Sequence, residues 1–555
     1  MNTGQPDYPF DLGAYRPAFL KTNDLAGQWF ARGLAWLYGF NQEEAVRCFR
    51  AAAAADDGLA LAWWGVAISS GPFMNLPWDW LSPAEKADML AACHAAVGRA
   101  GELAGTASPP ARALINALAI RFPQAEVPDD EMMASWERAY ADEMAVVYAE
   151  FGNDPDIAAL FVDSQIMLTP WQIYDVDARA PNPAARAAEI HAALDRGLAG
   201  AGADHIGLLH YDIHVNEMSP TPERALESAR RLEALAPPDA GHLQHMPSHI
   251  YALLGDFGSA ARCSRLAMDT DRRFMPDLHR TPFYRTLVCH DAHMLMFTGM
   301  QTGNLADAQH GAAVMAAVLE DRLTRPPETH MEMTLEGYYA TIAHVDLRFG
   351  RWQQIADRNF DGDVSCRPVS WAMHCQARAV ALAALGRHEA AAAAAEAFDD
   401  ARRAVPAGYG YFNNQADDIL AVGAAMMRGE MAYHAGEIAT GLAWLRRAVE
   451  AEDKLVYTEP RAWMHPPRHA LGALLLEQGQ VDAARRLYEC DLGLADDLPV
   501  SRQNRGNVWA LNGLAECLRR LGDPQADEAA AALAAAMPLA DQAITSSCFC
   551  RGRYL

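Results

Sequence analysis

Trp29-Phe30-Ala31-Arg32-Gly33-Leu34-Ala35-Trp36, then a polar turn at Asn41, then Ala45, Phe49 and Ala52: the reading of this stretch decides the fold class of the chain. Apolar and small residues recur at spacings of three and four on both sides of the turn, the period of two helices that each bury one face. Gly33 places no side chain between them, so the two helices approach closely. A small residue on the first helix against a small and an aromatic residue on the second is the register of the tetratricopeptide repeat, which has a period of about 34 residues. Leu471-Gly472-Ala473-Leu474-Leu475-Leu476-Glu477-Gln478-Gly479, followed by Ala484 and Tyr488, gives a second strong copy, and weaker copies turn at Gly255, Gly303, Gly386, Gly436 and Gly522. Almost every other segment is alanine-rich with the same spacing, and Ala390 to Ala395 is an unbroken run of the strongest helix former. The expected fold is all-α, a tetratricopeptide-repeat-like helical superhelix (α-solenoid), with a concave inner surface where such arrays bind their ligands.

Working outward, the expected divisions are an N-terminal arm over 1–20, helical repeats with a histidine-rich site over 21–310, further helical repeats over 311–540 and a cysteine-containing tail over 541–555. Residues 72 to 200 fit the repeat least. There, Gly71-Pro72-Phe73-Met74-Asn75-Leu76-Pro77-Trp78-Asp79-Trp80 and Leu168-Thr169-Pro170-Trp171-Gln172 are connectors too apolar for solvated loops, and read as ordered segments packed over one end of a cavity. The 555 residues are 51% hydrophobic and 21% charged, material for a continuous core under a charged surface. A formal net charge of -25 argues against a partner whose phosphates need clustered Lys and Arg, so no nucleic acid is expected. Neither a basic and apolar leader nor a bilayer-length apolar run is present, which gives a cytoplasmic location and no membrane as expectations. The ten cysteines stand singly except for Cys548-Phe549-Cys550, whose thiols either dangle from an exposed tail or fold back onto a site.

The chemistry-bearing feature is a run of histidines. Nine of the 19 fall between positions 205 and 293, where an even scatter would put roughly three. His210, His214 and Glu217 stand at i, i+4 and i+7, so two imidazoles and a carboxylate share one helical face. His242, His245 and His249 do the same unless Pro247 interrupts; a helix starting near Met246 would leave His242 and His245 on the segment leading in. His245 and His249 take positions normally given to packing residues, which costs stability unless a ligand or hydrogen bond satisfies them. His290 and His293 follow on the next repeat, and equivalent first helices of adjacent repeats lie side by side, so His210, His245 and His290 are expected to line one wall. Such a nitrogen-rich set suits copper or iron, with zinc or manganese as further candidates, better than magnesium or calcium. Asp163 and Glu336 are candidate partners that orient imidazole N–H groups, and Cys548 and Cys550 candidate soft ligands. Tyr211, Tyr251 and Trp171 are candidates for a substrate pocket, whereas His465 and His469 read as packing at a helix start.

These motifs give the chain a family likeness. His210-Tyr211 with His214, Leu243-Gln244-His245-Met246-Pro247-Ser248-His249-Ile250-Tyr251, His290 ahead of the Gly303 turn, and the terminal Ser547-Cys548-Phe549-Cys550-Arg551 resemble a bacterial family of long tetratricopeptide-repeat proteins. The likeness runs from the opening repeat to the tail. It implies an all-helical repeat fold and a shared role for the histidines, and it names no reaction. Many members carry an acidic residue three beyond the His290 position, where this chain has His293.

A phosphate-binding Gly-rich loop, a Gly-x-Ser-x-Gly elbow, a dinucleotide fingerprint and a His-Glu-x-x-His motif are all missing from the sequence. The expected function is therefore a metal-dependent enzyme acting on a small organic molecule, with oxygen-dependent oxidation ahead of metal-assisted hydrolysis. Its expected ligands are His210, His214, His245, His249 and His290, with Glu217 and His293 as additions. The rival is a non-catalytic repeat scaffold that binds a peptide or protein in its concave groove.

Overall fold

The structure is a computed structural model that describes residues 8–17, 19–20 and 25–551. The chain forms two compact units, Met1–Ile250 with Leu266–Leu287, and Tyr251–Arg265 with Val288–Leu555. The boundary read from sequence at 310 falls inside the second of these. Both units are all-α and built from paired helices of the tetratricopeptide type, and among the described residues the strands between some of them are two residues long.

The first unit opens with helices Leu25–Tyr38, Gln42–Ala55 and Ala60–Ser70. Asn41 caps the second, its side-chain oxygen accepting the Glu44 amide at 3.2 Å. Phe49 fills two glycine notches at once: a Cβ on Gly33 would lie 2.6 Å from its ring, and one on Gly65 would also overlap it. The turn residue is not glycine. Phe40 itself takes the left-handed conformation, at φ 55°, a strain of about 1 kcal/mol or more that packing must offset.

Between 72 and 200 the helices Pro83–Leu103, Pro109–Arg121, Asp130–Phe151, Pro155–Ile166 and Ala187–Ala199 are joined without any left-handed glycine turn, and the repeat register fades there. The two Pro/Trp connectors are ordered, as the sequence indicated. The Trp171 indole donates to the Met74 carbonyl at 3.0 Å, and Arg121, paired with Glu137, donates to the Pro72 carbonyl at 3.1 Å.

The second unit contains the hairpins Pro368–Ala384/His388–Ala404, Ala416–His434/Ile438–Glu452, Pro467–Glu477/Val481–Asp491 and Val508–Leu521/Ala526–Ala536. Their turns are Gly386, Gly436, Gly479 and Gly522, and these, like Gly255 and Gly303, all have positive φ. Gly350 (φ 62°) is a further such turn that the sequence reading did not mark. Tyr488 repeats the role of Phe49: a Cβ on Gly472 would meet its ring at 2.5 Å, and one on Gly513 would overlap it. The period differs from the expected one. Gly436, Gly479 and Gly522 lie 43 residues apart because long connectors, such as the stretch from Asp453 to Pro466, join one hairpin to the next.

The described part of the tail is anchored through Ser546, Ser547, Cys548 and Cys550, which are buried. Ser547 hydrogen-bonds the Tyr488 hydroxyl at 2.5 Å and donates to the His469 carbonyl at 3.0 Å, while Cys548 and Cys550, joined to each other, are buried. Among the described residues no helix is long and apolar enough to cross a membrane.

Candidate metal centre

Helix Ile206–Glu217 carries the first histidines, and every one of its residues is buried. The stretch read as one polar face is thus a helix sunk on all sides into the first unit. His205 caps it, its Nδ1 accepting the Leu208 amide at 3.2 Å, so its Nε2 bears the proton and donates to Asp156 at 3.0 Å. The same carboxylate accepts the Tyr38 hydroxyl at 2.9 Å and that of Tyr15. Helix Leu25–Tyr38 and helix Ile206–Glu217 are thereby fastened to one buried acid.

The fastening sets the first imidazole. A helix leaves its last carbonyls without intrahelical donors, and the carbonyl of Tyr38 is such a group. His210 Nδ1 lies 2.6 Å from it. A carbonyl only accepts, so Nδ1 carries the proton and Nε2 carries the lone pair. His214 Nδ1 likewise meets Glu217 Oε1 at 2.8 Å, which makes its Nε2 the ligating nitrogen. Pairing of this kind orients an imidazole and raises its basicity toward a metal.

The third imidazole is His242. His210, His214 and His242 bring one ligand atom each to within 4.8 Å of one another, and none is more than 1% exposed. The sequence offered His242 either on one face with His245 and His249 or, if Pro247 interrupts, on the segment leading in, and did not include it among the expected ligands. Pro247 does interrupt: Gly241–His245 is a short helix of its own, and the next begins at Pro247. The Phe40 ring stacks on His214 and His242, each at 5.5 Å between centroids, and tilts against His210 at 4.6 Å. Its left-handed backbone points the ring at all three, a contact without any signature in the sequence. Trp171, also left-handed at φ 61°, meets His214 edge-to-face with ring centroids 5.8 Å apart, and Phe73 packs behind Phe40 at 5.3 Å.

A second pair adjoins the triplet. His249 Nδ1 meets Glu217 Oε2 at 2.6 Å, so one carboxylate serves both His214 and His249. His245 Nε2 and His249 Nε2 are 2.8 Å apart. Six of the sequence-marked residues therefore stand together in the first unit: His210, His214, Glu217, His242, His245 and His249.

The other candidates are placed as follows. Tyr211 is buried next to Phe40 at 6.2 Å, and its hydroxyl donates to Asp163. Asp163 thus serves a tyrosine and not an imidazole, and burial raises its carboxyl to about 6. Tyr251, His290, His293, Glu336, Cys548 and Cys550 belong to the second unit. His293 stacks on Phe412 at 5.6 Å with Tyr338 edge-on at 5.4 Å, and burial, then His290 and His344, hold its pKa well below the usual value. Glu336 accepts the amide of Ser370 at 2.7 Å and its hydroxyl at 2.5 Å, and burial lifts it to about 7. His469 is structural, as read: it donates from Nε2 to Asp491 at 2.8 Å and accepts from Arg348 at Nδ1, also at 2.8 Å.

No family model matches the chain, and no curated protein matches it. Among solved structures, that of Naa15/Naa10 bound to HypK-THB is similar at 11% identity and a TM-score of 0.19, over 92% of this chain and 70% of the other.

Proposed function

We propose that this protein is a metal-dependent oxidoreductase acting on a small organic molecule, with a copper or iron ion held by His210, His214 and His242. The carrying observation is the convergence of three wholly buried imidazoles, two of them with Nδ1–H committed to a fixed acceptor. Three protein ligands leave coordination positions open for dioxygen or substrate, and an all-nitrogen donor set favours copper, iron or zinc over the oxygen-seeking cations. Burial beneath Phe40, Phe73 and Trp171 suits a small, apolar reactant and excludes a polypeptide from the imidazoles. In this reading Glu217 orients His214 and His249, and Tyr211 and Trp171 shape the pocket. A bound redox metal would supply electron transfer; the chain supplies fixed tautomers, a dry enclosure and orientation.

Elemental analysis of purified protein tests the reading. Native material is expected to carry stoichiometric copper or iron, and His242→Ala to lose it. Metal-free native protein would overturn the proposal and leave the rival, a scaffold that takes a peptide along its stacked hairpins, as the better account.

A further inference from the structure

We infer that the first unit holds two metal ions, the second on His245 and His249 beside the one on His210, His214 and His242, with Glu217 tying the two positions together; this rests on the metal reading above. The two His-x-x-x-His pairs are built alike. In each, the second imidazole gives its Nδ1–H to one oxygen of Glu217, His214 at 2.8 Å and His249 at 2.6 Å, so both turn an Nε2 lone pair away from the shared carboxylate. The triplet and the second pair also adjoin at two points: His214 and His249 ring centroids are 6.0 Å apart, and those of His242 and His245 6.1 Å.

The distance within the second pair is that of ligands on one ion. Metal–imidazole bonds are about 2.0–2.1 Å, so two nitrogens on one ion stand about 2.9 Å apart at a right angle and about 3.4 Å apart at the tetrahedral angle. His245 Nε2 and His249 Nε2 are 2.8 Å apart. Pro247 breaks the helix between them, so the approach comes from two separate helical segments and not from the regular i, i+4 geometry of one. An ordinary imidazole–imidazole hydrogen bond would have a similar length, and metal stoichiometry separates the two. Glu217 also has the right charge: one buried carboxylate between two cationic centres offsets part of a cost that neither imidazole pair could carry unaided.

Full-length protein is stripped with a chelator, titrated with Cu(II), freed of excess by gel filtration, and assayed for copper per chain alongside its electron paramagnetic resonance spectrum. Two coppers per chain are expected, with a spectrum broadened or silenced by coupling between neighbouring ions. His245→Asn is expected to hold one copper and give the sharp spectrum of an isolated Cu(II). One copper per chain in native protein, with an isolated spectrum, would overturn the second site and leave the triplet standing. No retained copper would overturn both. The native stoichiometry needs no variant, so misfolding of His245→Asn does not blunt the test.

Discussion

Glu217 is a buried carboxylate whose two oxygens each receive a ring N–H, and such a group is stable inside a protein only because those donors replace its water. Replacing it with glutamine keeps the shape and breaks the chemistry. The amide oxygen still accepts from one imidazole, while its NH2 group faces the Nδ1–H of the other. That ring must then turn or change tautomer, and a changed tautomer puts a proton on the nitrogen meant for the metal. Glu217→Gln is expected to weaken metal binding by about 10- to 100-fold, the range seen when a ligand's supporting acceptor is lost, with competition against a chelator as the measure; unchanged affinity would show that the carboxylate plays no orienting part. The helical spacing made His210, His214 and Glu217 legible in the sequence. That His242 joins His210 and His214 was not legible, because its place beside them depends on the tertiary path that brings Gly241–His245 against another helix; Phe40 was missed because nothing local marks a phenylalanine for a left-handed turn.

Helical pairing was legible because its signals are local. A left-handed turn favours glycine, and the six glycine turns marked in the sequence all have positive φ; the aromatic–glycine notch needs only one pair of residues at a fixed separation, Gly33 with Phe49 and Gly472 with Tyr488. The period was not legible, since connector lengths between hairpins obey no such rule. Two alanine substitutions separate the two uses of glycine. At Gly472 a Cβ would press on the Tyr488 ring, which Ser547 holds by its hydroxyl and which also packs against Gly513, so the ring has little freedom to give way. Gly472→Ala is expected to cost about 1–3 kcal/mol by overpacking. At Gly479 the space is open and only φ 72° opposes the change, so Gly479→Ala is expected to cost about 1 kcal/mol. Urea unfolding of both variants reads the order; equal losses would mean that the notch does not set the helix spacing.

Across the whole chain, buried titratable groups pull stability in opposite directions with pH. Burial alone lifts Glu430, 2% exposed, to about 8, and Glu336 and Glu452 are lifted to about 7. Their native pKa values exceed the unfolded ones, so the native state binds the extra protons; their stabilising contribution is complete below about pH 4.5 and is lost as pH rises through 7 to 8. The buried histidines have the reverse sign. His344 is lowered to about 3, with Trp463 edge-on to its ring at 4.4 Å, and His293 and His465 are also held well below the usual imidazole value. Their contribution is intact above about pH 6.5 and is lost as the unfolded chain takes up protons below it. The two sets oppose one another between about pH 4.5 and 6.5, act singly outside that window, and place the stability maximum within it or at its upper edge. Each group bends the profile by at most about 1.4 kcal/mol per pH unit, so single variants identify the limbs. Glu430→Gln is expected to flatten the decline between about pH 6.5 and 8, to steepen the rise between about 4.5 and 6.5 where it no longer opposes the histidines, and to leave the profile below about 4.5 unchanged; His344→Leu is expected to flatten the acid decline from about pH 6.5 to 4 and leave the profile above about 6.5 unchanged. Urea midpoints at pH 4, 5.5, 7 and 8.5 provide the readout, and a variant curve running parallel to the native one at every pH would remove that residue from the account.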